Sequence, residues 1–392
     1  MGSFRPRITP AVLTWARNSA RLSPGDLAKV CRTTDEMISE WERGASTPTM
    51  AQLQDIAKRC KRPVAVFFLP APPGESTTHP ELRSLGSKGP DSFSSETAYA
   101  LRVAQQCQEV SIDVFRELNE LPHLKLPIFR KQDDPKVLGR RLREQLGVTL
   151  DEQRRWRKPD VALREWRARI EALGVITLQL KFPVPEGRGF SLFHAVAPII
   201  VLNSNDAETA RCFTLFHEIG HLCRRRSGVF HAGSLFGKLS TSERDDEIFC
   251  NRFAAEILVP TNDNVIMNWL AACVIDGEVQ EASVLSVAKE MKVSRYVILR
   301  ELWSSNMILL STLQTVEKNW QDEFAGPPAK DDHKPIIPQH VQCLSRRGRR
   351  FVRVVFEGVD RDVITTMEAS DYLGLKTKHF DKLRAGIDSN GL

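Results

Sequence analysis

Apolar residues recur at helical spacing through the first 70 residues, and again through residues 96–172, with polar positions filling the intervening faces. "TPAVLTWARNSA" has a Thr-Pro start and an apolar face of Val12, Leu13 and Ala16; "SPGDLAKVC" opens on a Ser N-cap with Pro at the first helical position; "TTDEMISEWERG" runs from Thr caps to a stopping Gly44. "TPTMAQLQDIAKRC" and "RPVAVFFLPAPP" predict two more short helices. The stretch "PAPPGESTTHPELRSLGSKGPDSFSSE" reads as a linker, rich in Pro, Ser and Gly. Helical periodicity resumes in "ETAYALRVAQQCQEVSIDVFRELNEL", "KVLGRRLREQLG" and "KPDVALREWRARIEALG". The texture then changes to the short β-like runs "VITLQLKF", "GFSLFHAVA" and "PIIVLNS".

A helix predicted from about Glu208 to Arg224 follows those runs and carries "CFTLFHEIGHLC". Residues four apart are neighbours on a helix, so His217 and His221 share a face and can bind one Zn²⁺ together. Glu218 is turned by about 100° and can reach water at the metal. Phe213, Leu215, Phe216, Ile219 and Leu222 bury this helix, and polar side chains on a buried helix demand a partner. Gly220 in its interior costs roughly 1 kcal/mol against Ala, which implies close approach of a neighbour.

Zinc hydrolases need three protein ligands and an open position for water. The second helix, "ERDDEIFCNRFAAEILVP", supplies Glu247, 26 residues after His221. Asn251 follows one turn later as a candidate orienter of an imidazole or carboxylate, with Ala254 and Ala255 small enough for two helices to approach. The expected cofactor is one Zn²⁺ per chain. "PIIVLNS" is a candidate edge for pairing with an extended peptide. His231 in "GVFHAGS" is a candidate donor to the oxyanion.

Composition bounds the setting. The 392 residues allow two or three domains, and 42% hydrophobic with 27% charged is ordinary for a globular protein. The start "MGSFRPRITP" has no apolar leader and no run approaches the roughly 20 apolar residues that span a bilayer, so the expectation is a cytoplasmic protein without membrane contact. The eight cysteines lack CxxC pairs, which fits reduced thiols. Cys107, between the first two predicted domains, is a candidate inhibitory thiolate for an open zinc position. A second linker, "QDEFAGPPAKDDHKPIIP", precedes "VQCLSRRGRRFVRVVFEGVDRDVITTMEASDYLGLKTKHFDKL", which reads as a β-hairpin followed by helix. Arg346, Arg347, Arg349 and Arg350 (with Arg353) cluster there as candidate nucleic-acid contacts, as do Arg224, Arg225 and Arg226 after the metal helix. The charge of +6 permits such contacts without requiring them.

Two resemblances extend this reading. "LSPGDLAKVCRTTDEMISEWERGASTPT" resembles Xre/Cro-type helix-turn-helix repressor domains over about residues 8–70. Its third helix carries Asp35, Glu36, Glu40 and Glu42 and no Arg, Lys, Asn or Gln before Arg43, so base reading and docking on a protein both stay open. "ARCFTLFHEIGHLC" and "EIFCNRFAAEILVP" resemble the R-x-F-T-x-x-H-E-x-G-H and E-x-x-A-N-x-F-A-A-x-x-L-x-P motifs of the ImmA/IrrE metallopeptidases. "VLSVAKEMKVSRYVILREL" is similar to the helical segment that follows that family's core, and the likeness covers roughly residues 135–310. Cys250 stands where the family commonly has Ala, and is expected to touch no ligand.

The resemblance implies a zincin-like fold with His217, His221 and Glu247 on zinc and Glu218 as base. It also implies cleavage of a partner Xre-type repressor after a stress signal. The expected whole is a multidomain α+β chain: an all-α helix-turn-helix domain over 1–72, a linker and connecting helix over 73–132, a zincin-like α+β peptidase core over 133–320, and a small basic α+β domain over 335–392. The expected function is a zinc endopeptidase that derepresses genes, with single- or double-stranded DNA as a candidate activator. The alternative is an Xre-type DNA-binding regulator whose peptidase-like domain acts as a sensor.

Overall fold

The computed structural model describes residues 5–60, 62, 64–73, 93–120, 124–130, 132–230, 241–323 and 337–388. The chain divides into two compact units, Met1–Val103 and Ala104–Leu392, each considered by itself.

In the first unit, helices α1 (Pro10–Ser19), α2 (Pro24–Cys31), α3 (Asp35–Arg43) and α4 (Met50–Cys60) enclose a core of Leu13, Leu27, Ile38, Trp41, Leu53, Ile56 and Phe67. The punctuation seen in the sequence sets the boundaries. Ser23 and Asp26 form a reciprocal capping box, Thr34 accepts from the Met37 N–H, and α3 stops at Gly44 with φ of 78°. The fifth predicted helix is a 3₁₀ turn, Val64–Phe68, because Pro70 bars its predecessor from helical geometry. On α3, Asp35, Glu36 and Arg43 are exposed, while Glu42 pairs with Arg17 at 2.6 Å. Helix α5 (Ser95–Glu117) spans the division between the units.

The second unit opens with α6 (Pro135–Leu146), α7 (Leu150–Arg155) and α8 (Pro159–Ala172), followed by strands β1 (Ile176–Leu180), β2 (Gly189–Leu192) and β3 (Ile199–Asn203). Then come α9 (Glu208–Cys223), β4 (Gly228–Phe230) and α10 (Thr241–Leu258). The sheet order is β1-β3-β2-β4, with β3 parallel to β1 and β2 antiparallel to both β3 and β4. The run "PIIVLNS" is therefore an inner strand, paired on both sides, and cannot be the edge that its sequence suggested. Its unbroken burial explains why: Ile199 through Asn203 are all covered, as expected of a strand covered on both faces.

Helices α11 (Asn264–Ala271), α12 (Glu281–Met291), α13 (Arg295–Ser304) and α14 (Leu310–Glu323) follow, with a small hairpin of β5 (Val274–Ile275) and β6 (Glu278–Val279). One core joins α6–α10 to these helices, built on Trp166, Phe216, Phe253, Ile298 and Leu302. Trp166 stands edge-on to both Trp156 and Phe216, with ring centroids 5.1 and 4.9 Å apart. Among the described residues, no helix is long and apolar enough to cross a membrane.

The C-terminal segment corrects one expectation. No hairpin forms; α15 (Gln339–Asp360), α16 (Thr366–Leu373) and α17 (Phe380–Asp388) are helices, and α15 packs against β1. The alternation of arginine with Phe and Val suggested strands, but Phe351, Val352, Val355 and Phe356 are buried at helical spacing, so packing overrides β propensity. Gly348 breaks α15 with φ of 72° and ψ of 158°. The helix restarts against the buried Glu171 carboxylate, which accepts the Arg349 N–H at 2.9 Å and the Arg350 N–H at 3.3 Å. The rest of the architecture is the multidomain α+β arrangement expected.

Candidate metal centre

Helix α9 lies between the sheet and α10. On its inner face the Nε2 atoms of His217 and His221 stand 3.0 Å apart. From α10, Glu247 places Oε2 3.4 Å from His217 Nε2 and Oε1 3.3 Å from His221 Nε2. All three residues are buried. Among the described residues they are the one group of three or more His, Cys, Asp or Glu side chains whose donor atoms converge closely enough for a metal ion.

The donor set fits zinc. Tetrahedral bonds of about 2.0–2.1 Å place neighbouring ligand atoms about 3.4 Å apart, close to the separations present here. Two imidazole nitrogens and one carboxylate leave a fourth position for water. The three groups also shift one another's charge. Burial drives His217 toward its neutral, ligating form. Burial opposes ionisation of Glu247, but the two imidazoles hold its carboxyl well below the usual range. His221 is likewise penalised by burial, yet Cys250 and Glu247 raise it well above an ordinary histidine.

Close packing of α9 on α10 creates this convergence. A Cβ on Gly220 would lie 2.9 Å from Cys250 Sγ and 3.3 Å from Cys250 Cα, so glycine is what allows the contact. Arg224 and Arg226, just past α9, both pair with Asp246 of α10, and the Arg224 guanidinium lies 4.6 Å from the Phe249 ring centroid. Two of the three arginines read as candidate phosphate contacts thus fasten the metal helix to its neighbour.

Cys250 is not part of the His–His–Glu group, but it stands close enough to His221 to help raise that histidine well above its ordinary range. Its position on α10, one turn after Glu247, puts it against the residue preceding that histidine. Asn251 Oδ1 accepts from Arg300 of α13 at 3.4 Å, and Arg300 also pairs with Glu317 at 3.2 Å and covers the Phe213 ring at 5.4 Å. Arg300 was not singled out from the sequence; nothing in its local run "VILREL" marks it.

Glu218 is fully buried, and its Oε2 accepts a 2.6 Å hydrogen bond from Ser191 of β2. Sequence reasoning also missed Ser191. The one signal was the pair of small residues in "GFS", two apart and hence on one face of a strand.

The remaining candidates lie elsewhere. Cys107 is buried, with Arg347 donating to its Sγ at 3.6 Å, and it is not part of the His–His–Glu group. Arg349 donates to the Ile387 carbonyl at 3.4 Å and Arg350 lies over Phe115, while Arg346 and Arg353 are exposed. His231 lies outside the described residues.

Comparison with known families agrees with both units. A peptidase-family model, the IrrE N-terminal-like domain, matches residues 170–265, which hold β1–β4 and both metal-site helices; a helix-turn-helix model matches residues 13–67. Neither the curated proteins nor the solved structures supply a match to the chain. The chain thus combines a helix-turn-helix domain with an IrrE-like, peptidase-like domain.

Proposed function

We propose that the chain is a zinc-dependent endopeptidase that cleaves a partner transcriptional repressor in response to a stress signal, and so releases the genes which that repressor silences. The observation that carries the catalytic part is the convergence of His217, His221 and Glu247 with Glu218 next to the first histidine. In this reading the two imidazoles and the Glu247 carboxylate hold one zinc ion. The ion supplies Lewis-acid polarisation of the scissile carbonyl and acidifies water. Glu218 takes the proton from the attacking water and returns it to the leaving amine. Asn251, clamped by Arg300, keeps the α10 side of the site in place.

Strand β4 supports an extended peptide as substrate. Among the described residues it pairs with β2 alone, and a peptide adding to it would run beside α9. His231 directly follows β4 in the chain and is proposed as the donor to the developing oxyanion. The helix-turn-helix domain supports the target class, since it can bring the peptidase to operator DNA or dock it on a repressor of the same type. Exposed Arg346 and Arg353 are the proposed contacts for an activating nucleic acid, while Cys107, buried beside Arg347 and outside the His–His–Glu group, is given no inhibitory role.

The helix-turn-helix match also favours a second reading, a DNA-binding regulator whose peptidase-like domain senses a ligand. Glu218→Gln separates the two. The peptidase reading expects the variant to retain zinc while losing both cleavage of its target repressor and induction of the genes that the repressor silences. Intact cleavage and induction would leave the regulator reading.

A further inference from the structure

Strand β2 touches α9 at two points one step apart. At the first, a Cβ on Gly189 would lie 2.4 Å from Thr214 Cγ2 and 2.8 Å from the Val201 carbonyl oxygen, so the strand comes as near to the helix as a bare backbone allows. Ser191 lies two residues further along the same strand face, and Glu218 four residues further along the helix. Two strand residues advance about 6.6 Å and four helical residues about 6.0 Å, so the contact closed at Gly189 is repeated at Ser191. There the Ser191 hydroxyl donates to Glu218 Oε2 at 2.6 Å.

Ser191 is fully buried, and its backbone pairs with Ile200 of β3 on one side and Gly228 of β4 on the other. The hydroxyl therefore starts from a point fixed by the sheet, which is a more precise mount than a loop. We propose that Ser191 is the positioning residue for Glu218: it pins Oε2, so that proton handling falls to the other carboxylate oxygen, Oε1. Gly189 is the residue that makes the reach short enough. This inference rests on the peptidase reading.

The test uses the full-length chain loaded with Co²⁺, with acetohydroxamic acid as probe and the visible cobalt spectrum as readout. Hydroxamates bind such a metal while sharing a proton with a correctly placed carboxylate, so their affinity reports the placement of Glu218. Ser191→Ala is expected to keep Co²⁺ affinity within about twofold and to weaken acetohydroxamate about tenfold. Ser191→Thr is expected to restore the affinity, and Ser191→Ala is expected to add nothing in a Glu218→Gln background. Should Ser191→Ala not fold, Ser191→Cys, close in size and a poor donor, is expected to show the same loss. Unchanged acetohydroxamate affinity in Ser191→Ala or Ser191→Cys overturns the proposal, as do losses that multiply with Glu218→Gln. A wild-type chain that binds no Co²⁺ overturns the peptidase reading and this inference with it.

Discussion

Replacing Gly220 with Ala probes the contact that brings the metal ligands together. The added Cβ would stand 2.9 Å from Cys250 Sγ, 3.2 Å from its Cβ and 3.3 Å from its Cα, so the obstacle includes the α10 backbone as well as a side-chain tip. Overpacking of this kind costs about 1–3 kcal/mol, while Ala in place of Gly inside a helix returns about 1 kcal/mol. The expected net loss is about 1 kcal/mol. Cys250→Ala alone removes a buried sulfur and costs about 1 kcal/mol for the gap it leaves. Together the two changes exchange one atom for the other, so the double variant should recover about 1–2 kcal/mol relative to the sum. The assay is guanidinium unfolding of the full chain, following the transition that added zinc shifts. Because Glu247 rides on α10 and both histidines on α9, Gly220→Ala alone should also weaken zinc about tenfold. Strict additivity of the two substitutions, within about 0.5 kcal/mol, would refute the account of why glycine stands there.

Other consequences follow from the same structure. Glu247→Ala should abolish tight zinc binding, and chelation should remove from the wild type the roughly 4 kcal/mol that a ligand at a thousand times its Kd contributes; differential scanning calorimetry with and without chelator measures both. Burial pushes Glu301 up to about 7, against the opposing pull of Lys136. The raised pKa means the folded state holds its proton more tightly, so stability should fall as pH rises from the ordinary glutamate range through about 7. Glu301→Gln should flatten that fall, worth up to about 3 kcal/mol, in urea titrations between pH 4.5 and 8. At the restart of α15, Glu171→Ala leaves the Arg349 and Arg350 N–H groups without their acceptor and should cost about 2–3 kcal/mol, seen as earlier proteolysis of the C-terminal helices.

The parts legible in the sequence are those governed by local rules. Caps at Ser23, Thr34 and Gly44 mark the N-terminal helices, and a spacing of four puts His217 and His221 on one face, with Glu247 offered by the next buried helix. What escaped depends on tertiary neighbours. Ser191 matters because Gly189 lets a strand press on α9, and no local pattern states which strand that is. Cys250 looked inert because a helix partner's depth of approach is invisible until Gly220 is seen against it. The hairpin expected near Arg346–Phe356 became a helix because β1 offers it a surface, and Arg347, Arg349 and Arg350 found internal partners that one-dimensional clustering cannot show.

Zinc-edge X-ray absorption on the purified full-length protein tests the central claim most directly. The account predicts one zinc per chain with two imidazole nitrogens and carboxylate and water oxygens at about 2.0–2.2 Å, a pattern that His217→Ala and Glu247→Ala each disrupt. A sulfur neighbour at about 2.3 Å, placing Cys250 on the metal, or a chain that retains no zinc, would contradict it.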